Sequence, residues 1–287
     1  MRFQLLRILS FLPFWLLYGI GSLGVWILAN VVQYRKDVIE ANLKAAFPNK
    51  SEVEILKIRK AFYRHFVDLA METLKSFSMN AAAISKRFKL ENPELLKAYF
   101  AENRSVILYT AHIGNWEWFS FLPYYFEEVE VGSFYQKLSS GFFENTMLKM
   151  RQKHGLSCVD SDNGYRYMLK QKSSGRVGLN CIIGDQSPRK SASKHWVKFL
   201  NQDTAFLVGA NRIARKLDQV IVYAHFTKLK KGHYSVKFEL ISDKPNEEAP
   251  GFLIEKYSQL LEANIKESPE LWLWSHRRWK LKKEDFQ

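Results

Sequence analysis

No charged residue stands between Ile8 and Ala29, a stretch that carries Phe11, Leu12, Phe14, Trp15, Leu16, Leu17, Val25, Trp26, Ile27 and Leu28. As a helix it reaches about 30 Å, the thickness of a bilayer's hydrocarbon core, so whatever the chain folds into must seat this segment against lipid or protein. Two readings compete. A cleavable signal peptide has an apolar region of about 7 to 15 residues followed by a small-x-small site. The run here is longer, and Asn30-Val31-Val32-Gln33 offers no such site. A retained membrane helix within residues 1–36 is therefore expected, although Pro13 and the glycines also allow a kinked segment lying in the interface. Arg2 and Arg7 on one flank balance Arg35, Lys36 and Lys44 on the other, so counting positive charges does not orient it.

The same stretch spells a dinucleotide-binding fingerprint, Gly19-Ile20-Gly21-Ser22-Leu23-Gly24, with Asp37 and Glu40 beyond it. That fingerprint needs a helix with a polar face and then a second strand ending at the acid. Val25 to Val32 is apolar almost all round, so close helix contact at the glycines is the better reading.

Past the apolar run the pattern changes. Asp37 to Phe47 has helical spacing and stops at Pro48, and Ser51 with Glu54 forms a capping-box pair opening a long amphipathic helix. Beyond this helical segment, 37–102, apolar runs alternate with helical ones. Strands are expected near Val106, Val129 to Tyr135, Ser157 to Val159, Val177 to Ile183, Trp196 to Leu200, Gln219 to Phe226 and Tyr234 to Leu240. Helices are expected from Asn115, over Phe142 to His154, Tyr165 to Gln171, Thr204 to Lys216 and Gly251 to Lys266. Such alternation predicts an α/β fold, with a mostly parallel central sheet covered by helices on both faces and the last strands free to pair antiparallel. Residues 37–287 then make one catalytic domain behind the anchor.

The formal net charge of +14 favours polyanionic partners: nucleic acid, anionic membrane, phosphorylated lipid or an acidic carrier protein. An apolar anchor argues against nucleic acid. Cys158 and Cys181 sit in apolar strand contexts without metal-ligand spacing, which reads as two reduced thiols in a domain facing the cytoplasm. No metal or cofactor is called for by any motif.

His112-Ile113-Gly114-Asn115-Trp116-Glu117 carries the chemistry. The strand Ser105 to Thr110 would deliver His112 to its carboxyl end, where open α/β sheets hold their ligands. Residues five apart on one helix stand about 140° apart, so His112 and Glu117 can meet only if the histidine lies in the turn before the helix. There Glu117 could accept from Nδ1 and leave Nε2 as a base. An ordinary loop histidine is the competing reading; Gly114, which lets backbone approach a ligand, and Asn115, a good helix start, weigh against it.

This block resembles the His-X4-Asp/Glu motif of glycerolipid acyltransferases, in the form found in bacterial lipid A biosynthesis acyltransferases. Further pieces follow in the family's order: Asn42-Leu43 and Ala46-Phe47-Pro48, Arg151 with Gly155, Asp185-Gln186, then Pro269, Trp274, His276, Arg277, Arg278 and Lys280. Where many members show Tyr-Arg-Pro-Leu, this chain has Tyr135-Gln136-Lys137-Leu138, with Lys137 in place to supply the charge. The resemblance implies an inner-membrane enzyme moving a fatty acyl chain from an acyl thioester, acyl-acyl carrier protein, to a hydroxyl of a lipid A precursor. Another glycolipid or phospholipid as acceptor, or a non-catalytic lipid-binding scaffold, are the alternatives. His112 and Glu117 would be the catalytic pair. Arg151, the backbone at Gly114 and Asn115, or Gln186 would stabilise the oxyanion, and Arg151 is the first choice because the family's arginine block falls there.

Two basic stretches remain. Asp185 to His195 is expected as an exposed loop on the same rim as His112, either merely solvated or a flap whose Arg189, Lys190 and Lys194 meet phosphate or carrier-protein acids. Trp272 to Lys280 interleaves indoles with His276, Arg277, Arg278 and Lys280, a mixture suited to a membrane interface, with packing on the core as the alternative.

Overall fold

The computed structural model describes residues 2–136 and 140–286. Helix α1 (Arg2–Leu9) and helix α2 (Phe14–Trp26, continued by a π turn over Ile27–Val31) replace a single unbroken N-terminal helix. The break falls before Pro13, which cannot donate a backbone hydrogen bond. Lys75 Nζ takes the carbonyls of Ser10 and Leu12 at 2.9 and 2.8 Å. Phe14–Val31 is long and apolar enough to cross a membrane.

After α3 (Lys36–Ala46) comes α4 (Glu52–Ser76), the longest helix, opened by the expected capping box: Ser51 Oγ accepts from the Glu54 amide and Glu54 Oε2 accepts from the Ser51 amide. The glycine-rich face of α2 lies along α4. A Cβ on Gly21 would stand 3.1 Å from Met71 and 3.4 Å from Val67, so small residues there are what allow the approach. Outward, Trp15, Ile20, Leu23, Trp26 and Val31 are exposed.

The chain continues through α5 (Ala81–Ser85), β1 (Phe88–Leu90), α6 (Glu94–Ala101) and β2 (Val106–Thr110). A 3₁₀ helix (Trp116–Tyr124) follows, then β3 (Glu130–Tyr135), α7 (Gly141–Lys153), β4 (Ser157–Asp160) and α8 (Gly164–Ser173). Next come β5 (Gly178–Ile183), β6 (Lys194–Phe199), β7 (Gln202–Leu207) and α9 (Gly209–Leu217). Strands β8 (Val220–Lys230) and β9 (His233–Ser242) and helix α10 (Phe252–Glu267) complete the regular elements. The described residues form a seven-stranded sheet in the order β1-β9-β8-β2-β5-β3-β4, parallel throughout except for the β8–β9 hairpin. This is the expected α/β architecture. Central β2 is buried along its whole length, as its unbroken apolar run requires of a strand covered on both faces.

Besides the broken N-terminal helix and β1, a strand inside the segment 37–102 expected as helical, three elements differ from expectation. The segment from Asn115 is 3₁₀ rather than α: Asn115 gives no capping bond, and Pro123 inside the segment has no N–H to offer an α ladder. Thr204 to Leu207 is strand, because Leu200 and Asn201 at φ 48° and 64° make a two-residue hairpin turn, and the helix starts only at Gly209. The Trp272 to Lys280 stretch is core rather than interface: Trp272, Trp274 and Arg278 are buried, and Arg278 Nη2 donates to the Ala205 carbonyl. From α3, Asn42 Nδ2 holds the carbonyls of Trp274 and His276 at 2.8 and 2.9 Å. Cys158 and Cys181 are free thiols, and burial pushes the latter up to about 12.

Candidate active site

His112 leaves the carboxyl end of β2 and Asp185 leaves that of β5. The two strands pair in parallel with Thr110 opposite Ile183, so two residues on the histidine and the aspartate stand side by side. Asp185 Oδ1 is 2.8 Å from His112 Nδ1, and Oδ2 accepts the His112 backbone N–H at 3.1 Å. Trp272 Nε1 donates to Oδ2 at 2.8 Å. Burial by itself would raise the Asp185 carboxyl, but the neighbouring His112 and these hydrogen bonds prevail and hold it below the usual carboxylate range. With Nδ1–H donated to Asp185, Nε2 carries the lone pair; Gln186 Nε2 lies 3.2 Å from it and can donate to it. The His112 side chain keeps 19% of its exposure while Asp185 keeps 3%, so the ring is reachable and its partner is not.

The expected bond between His112 and Glu117 is not formed. Glu117 turns to α7, where Arg151 grips it with two parallel bonds, Nε to Oε2 at 2.9 Å and Nη2 to Oε1 at 2.8 Å. From the 3₁₀ helix it is Trp116 that meets the imidazole, edge to face at 5.2 Å between ring centroids. Burial works against the Arg151 charge, and Glu117 more than offsets it, raising the guanidinium above its ordinary value.

Gly114 and Asn115 are buried and committed within the protein. The Gly114 N–H donates to the Leu271 carbonyl at 3.0 Å, which removes it as an oxyanion donor, and its carbonyl accepts from His65 Nε2 at 3.1 Å. Its φ of +60° and the Phe226 ring, 2.1 Å from where a Cβ would sit, admit glycine alone. Asn115 Nδ2 donates to Glu72 Oε2 at 2.8 Å. Ile113 bridges Trp272, and the Leu273 N–H donates to the His112 carbonyl at 3.0 Å, so the carboxyl-terminal segment clamps the histidine turn.

The basic loop begins buried, at Asp185, and becomes exposed at Arg189 and Lys190. Its stem passes His276, whose Nε2 accepts the Ser187 N–H at 3.2 Å and which burial pushes down to about 4. Arg189 and Arg277 are both exposed. Lys137 lies outside the described residues. Among the described residues no group of three His, Cys, Asp or Glu side chains is placed to hold a metal.

Trp272, Glu72 and His65 escaped sequence reading. Trp272 is visible in the sequence only as an aromatic among cations; His65 lies in the middle of α4 and Glu72 near its end, with nothing in the neighbouring sequence to separate them from solvated positions.

A family model described as bacterial lipid A biosynthesis acyltransferase matches residues 2–281. The chain belongs to this family. It is accordingly an acyltransferase of lipid A biosynthesis, as the ordered motifs imply. Comparison with curated proteins gives no match. Seen as a lipid A acyltransferase, the protein keeps its His-X4-Glu block at the carboxyl edge of the sheet, with the imidazole and the carboxylate of that block serving separate partners.

Proposed function

We propose that this lipid A acyltransferase transfers a fatty acyl chain from acyl-acyl carrier protein to a hydroxyl of a lipid A precursor, with His112 as general base. The observation that carries the reading is the His112–Asp185 pair, a partly exposed imidazole whose Nδ1 is held by a buried carboxylate. Nε2 takes the acceptor hydroxyl's proton as its oxygen attacks the thioester carbonyl. The tetrahedral oxyanion collapses, the C–S bond breaks, and the departing thiolate takes the proton from the imidazolium. Asp185 orients the ring and stabilises its charged form. Gln186, beside Nε2, is the amide donor for the developing oxyanion. Glu117 occupies the Nε–Nη2 edge of Arg151 and holds the guanidinium in one orientation, so only its remaining N–H groups can meet a phosphate or carboxylate of a substrate. Arg189, Arg277 and Lys137 supply further positive charge for phosphorylated acceptor and acidic donor.

The proposed anchor is α1 with α2, its exposed apolar face set into the inner membrane and the catalytic domain, 37–287, on the cytoplasmic side. Because the opposite face of α2 is docked on α4, the anchor is fixed to the enzyme rather than tethered to it. The free thiols and net charge of +14 support that placement.

The test is mass spectrometry of membrane lipids from cells lacking their own late acyltransferases, carrying either the native protein or His112→Ala. One added acyl mass on lipid A with the native chain alone is expected. Normal acylation by the variant overturns the mechanism, and a mass shift confined to another lipid moves the acceptor.

A further inference from the structure

Glu72 sits near the carboxyl end of α4, fully buried, and accepts hydrogen bonds from three separate elements. Tyr18 on α2 donates to Oε1 at 3.0 Å; Asn115 Nδ2 and the Tyr234 hydroxyl on β9 donate to Oε2, each at 2.8 Å. Among the described residues no cation lies within ion-pair distance of it, and burial raises its carboxyl above the usual range. A buried carboxyl without a cation is costly unless its hydrogen bonds are complete, and such a group fixes whatever it bonds. What it bonds here is the turn that follows His112. His65, seven residues earlier on the same helix, takes the Gly114 carbonyl, so two side chains of α4 hold the two residues at the centre of the His112–Glu117 block. Of the other two partners, Tyr234 lies in the sheet and Tyr18 belongs to the helix whose other face is exposed and apolar.

We propose that Glu72 is a positioning residue that ties the turn carrying His112 to the docked apolar helix α2, so that the seating of that helix sets the geometry of the active site. The inference rests on the acyl-transfer reading of His112. Tyr18 contributes through Glu72 and touches no substrate.

The test uses the full-length enzyme in phospholipid vesicles, with an acyl-acyl carrier protein thioester and a lipid A precursor as substrates. Glu72→Leu keeps the volume and removes every bond, and is expected to lower kcat by about 10-fold or more with KM for both substrates within about twofold, the rate equivalent of about 1.4 kcal/mol. Glu72→Gln should restore most of kcat, since its carbonyl can serve Asn115 and Tyr234 while its amide donates to the Tyr18 hydroxyl. Tyr18→Phe should lower kcat by about threefold or more on its own and have no further effect in Glu72→Leu, the non-additivity of groups acting as one unit. The pH at which kcat/KM rises should stay at the native value in all of them, because the His112–Asp185 pair is untouched. Native kcat in Tyr18→Phe, independent multiplication of the two losses, or a shifted pH profile overturns the proposal. Should Glu72→Leu fail to fold, Tyr18→Phe and Glu72→Gln decide it alone. His112→Ala serves as control: turnover in that variant defeats the acyl-transfer reading, whereas its inactivity beside fully active Tyr18 and Glu72 variants defeats only this inference.

Discussion

Asp185 receives both the ring and the backbone of His112: Oδ1 lies 2.8 Å from Nδ1 and Oδ2 lies 3.1 Å from the amide nitrogen. One buried carboxylate therefore fixes the tautomer of the base and the turn on which it rides. Replacing it with an amide tests this directly. Asp185→Asn should lower kcat by about 10²- to 10⁴-fold, the range of general base catalysis, with the fold intact by circular dichroism.

Glu117→Gln separates the two carboxylates. It breaks the bidentate grip on Arg151 but leaves Nδ1 of His112 bonded, so acyl transfer should weaken while the pH at which kcat/KM rises stays where it was. Arg151→Lys should resemble it, since an ammonium cannot reproduce the planar fork. A pH profile shifted in Glu117→Gln would return Glu117 to the imidazole.

Trp272→Phe removes the indole donor to Asp185 while keeping most of the buried ring. A lost hydrogen bond to a buried charged group costs about 1.5 to 3 kcal/mol. The expected result is a Tm several degrees lower and a kcat reduced by about 10-fold, read from thermal unfolding and steady-state kinetics.

Gly114→Ala places a methyl in the Phe226 ring at a φ of +60°. Strain of about 1 to 3 kcal/mol adds to that overlap, so the variant should be strongly destabilised or fail to accumulate as folded protein. A native Tm would contradict the packing described here.

Acid should destabilise the fold through its buried histidines. Burial pushes His65 down to about 3, and His154 and His276 down to about 4, so the native state holds them neutral while the unfolded chain protonates them near its ordinary 6.5. Their contribution is complete above pH 6.5 and is lost as pH falls toward the folded values. His65, fully enclosed, adds about 1.4 kcal/mol per pH unit to the slope within that window, and the partly solvated His154 and His276 add less. Denaturant titrations between pH 7 and 5 should show the decline; a flat profile would mean that these imidazoles are accessible in the native state.

Local pattern alone determined a good deal. The β2 run, the Ser51–Glu54 cap, the alternation of strands with helices and the placement of His112 at a strand's end follow from periodicity and turn chemistry, which act within a few residues. The glycines of α2 were legible as a contact face for the same reason. What only the tertiary structure decided is which acid meets the histidine. Asp185 is 73 residues away in sequence and arrives through the parallel register that sets Thr110 opposite Ile183. Glu117, the nearer carboxylate, is drawn to the guanidinium that α7 presents. Trp272 and Glu72 likewise reach the site from distant segments, because partners across a sheet or between packed helices are fixed by register and burial, and neither leaves a mark in the spacing of one chain.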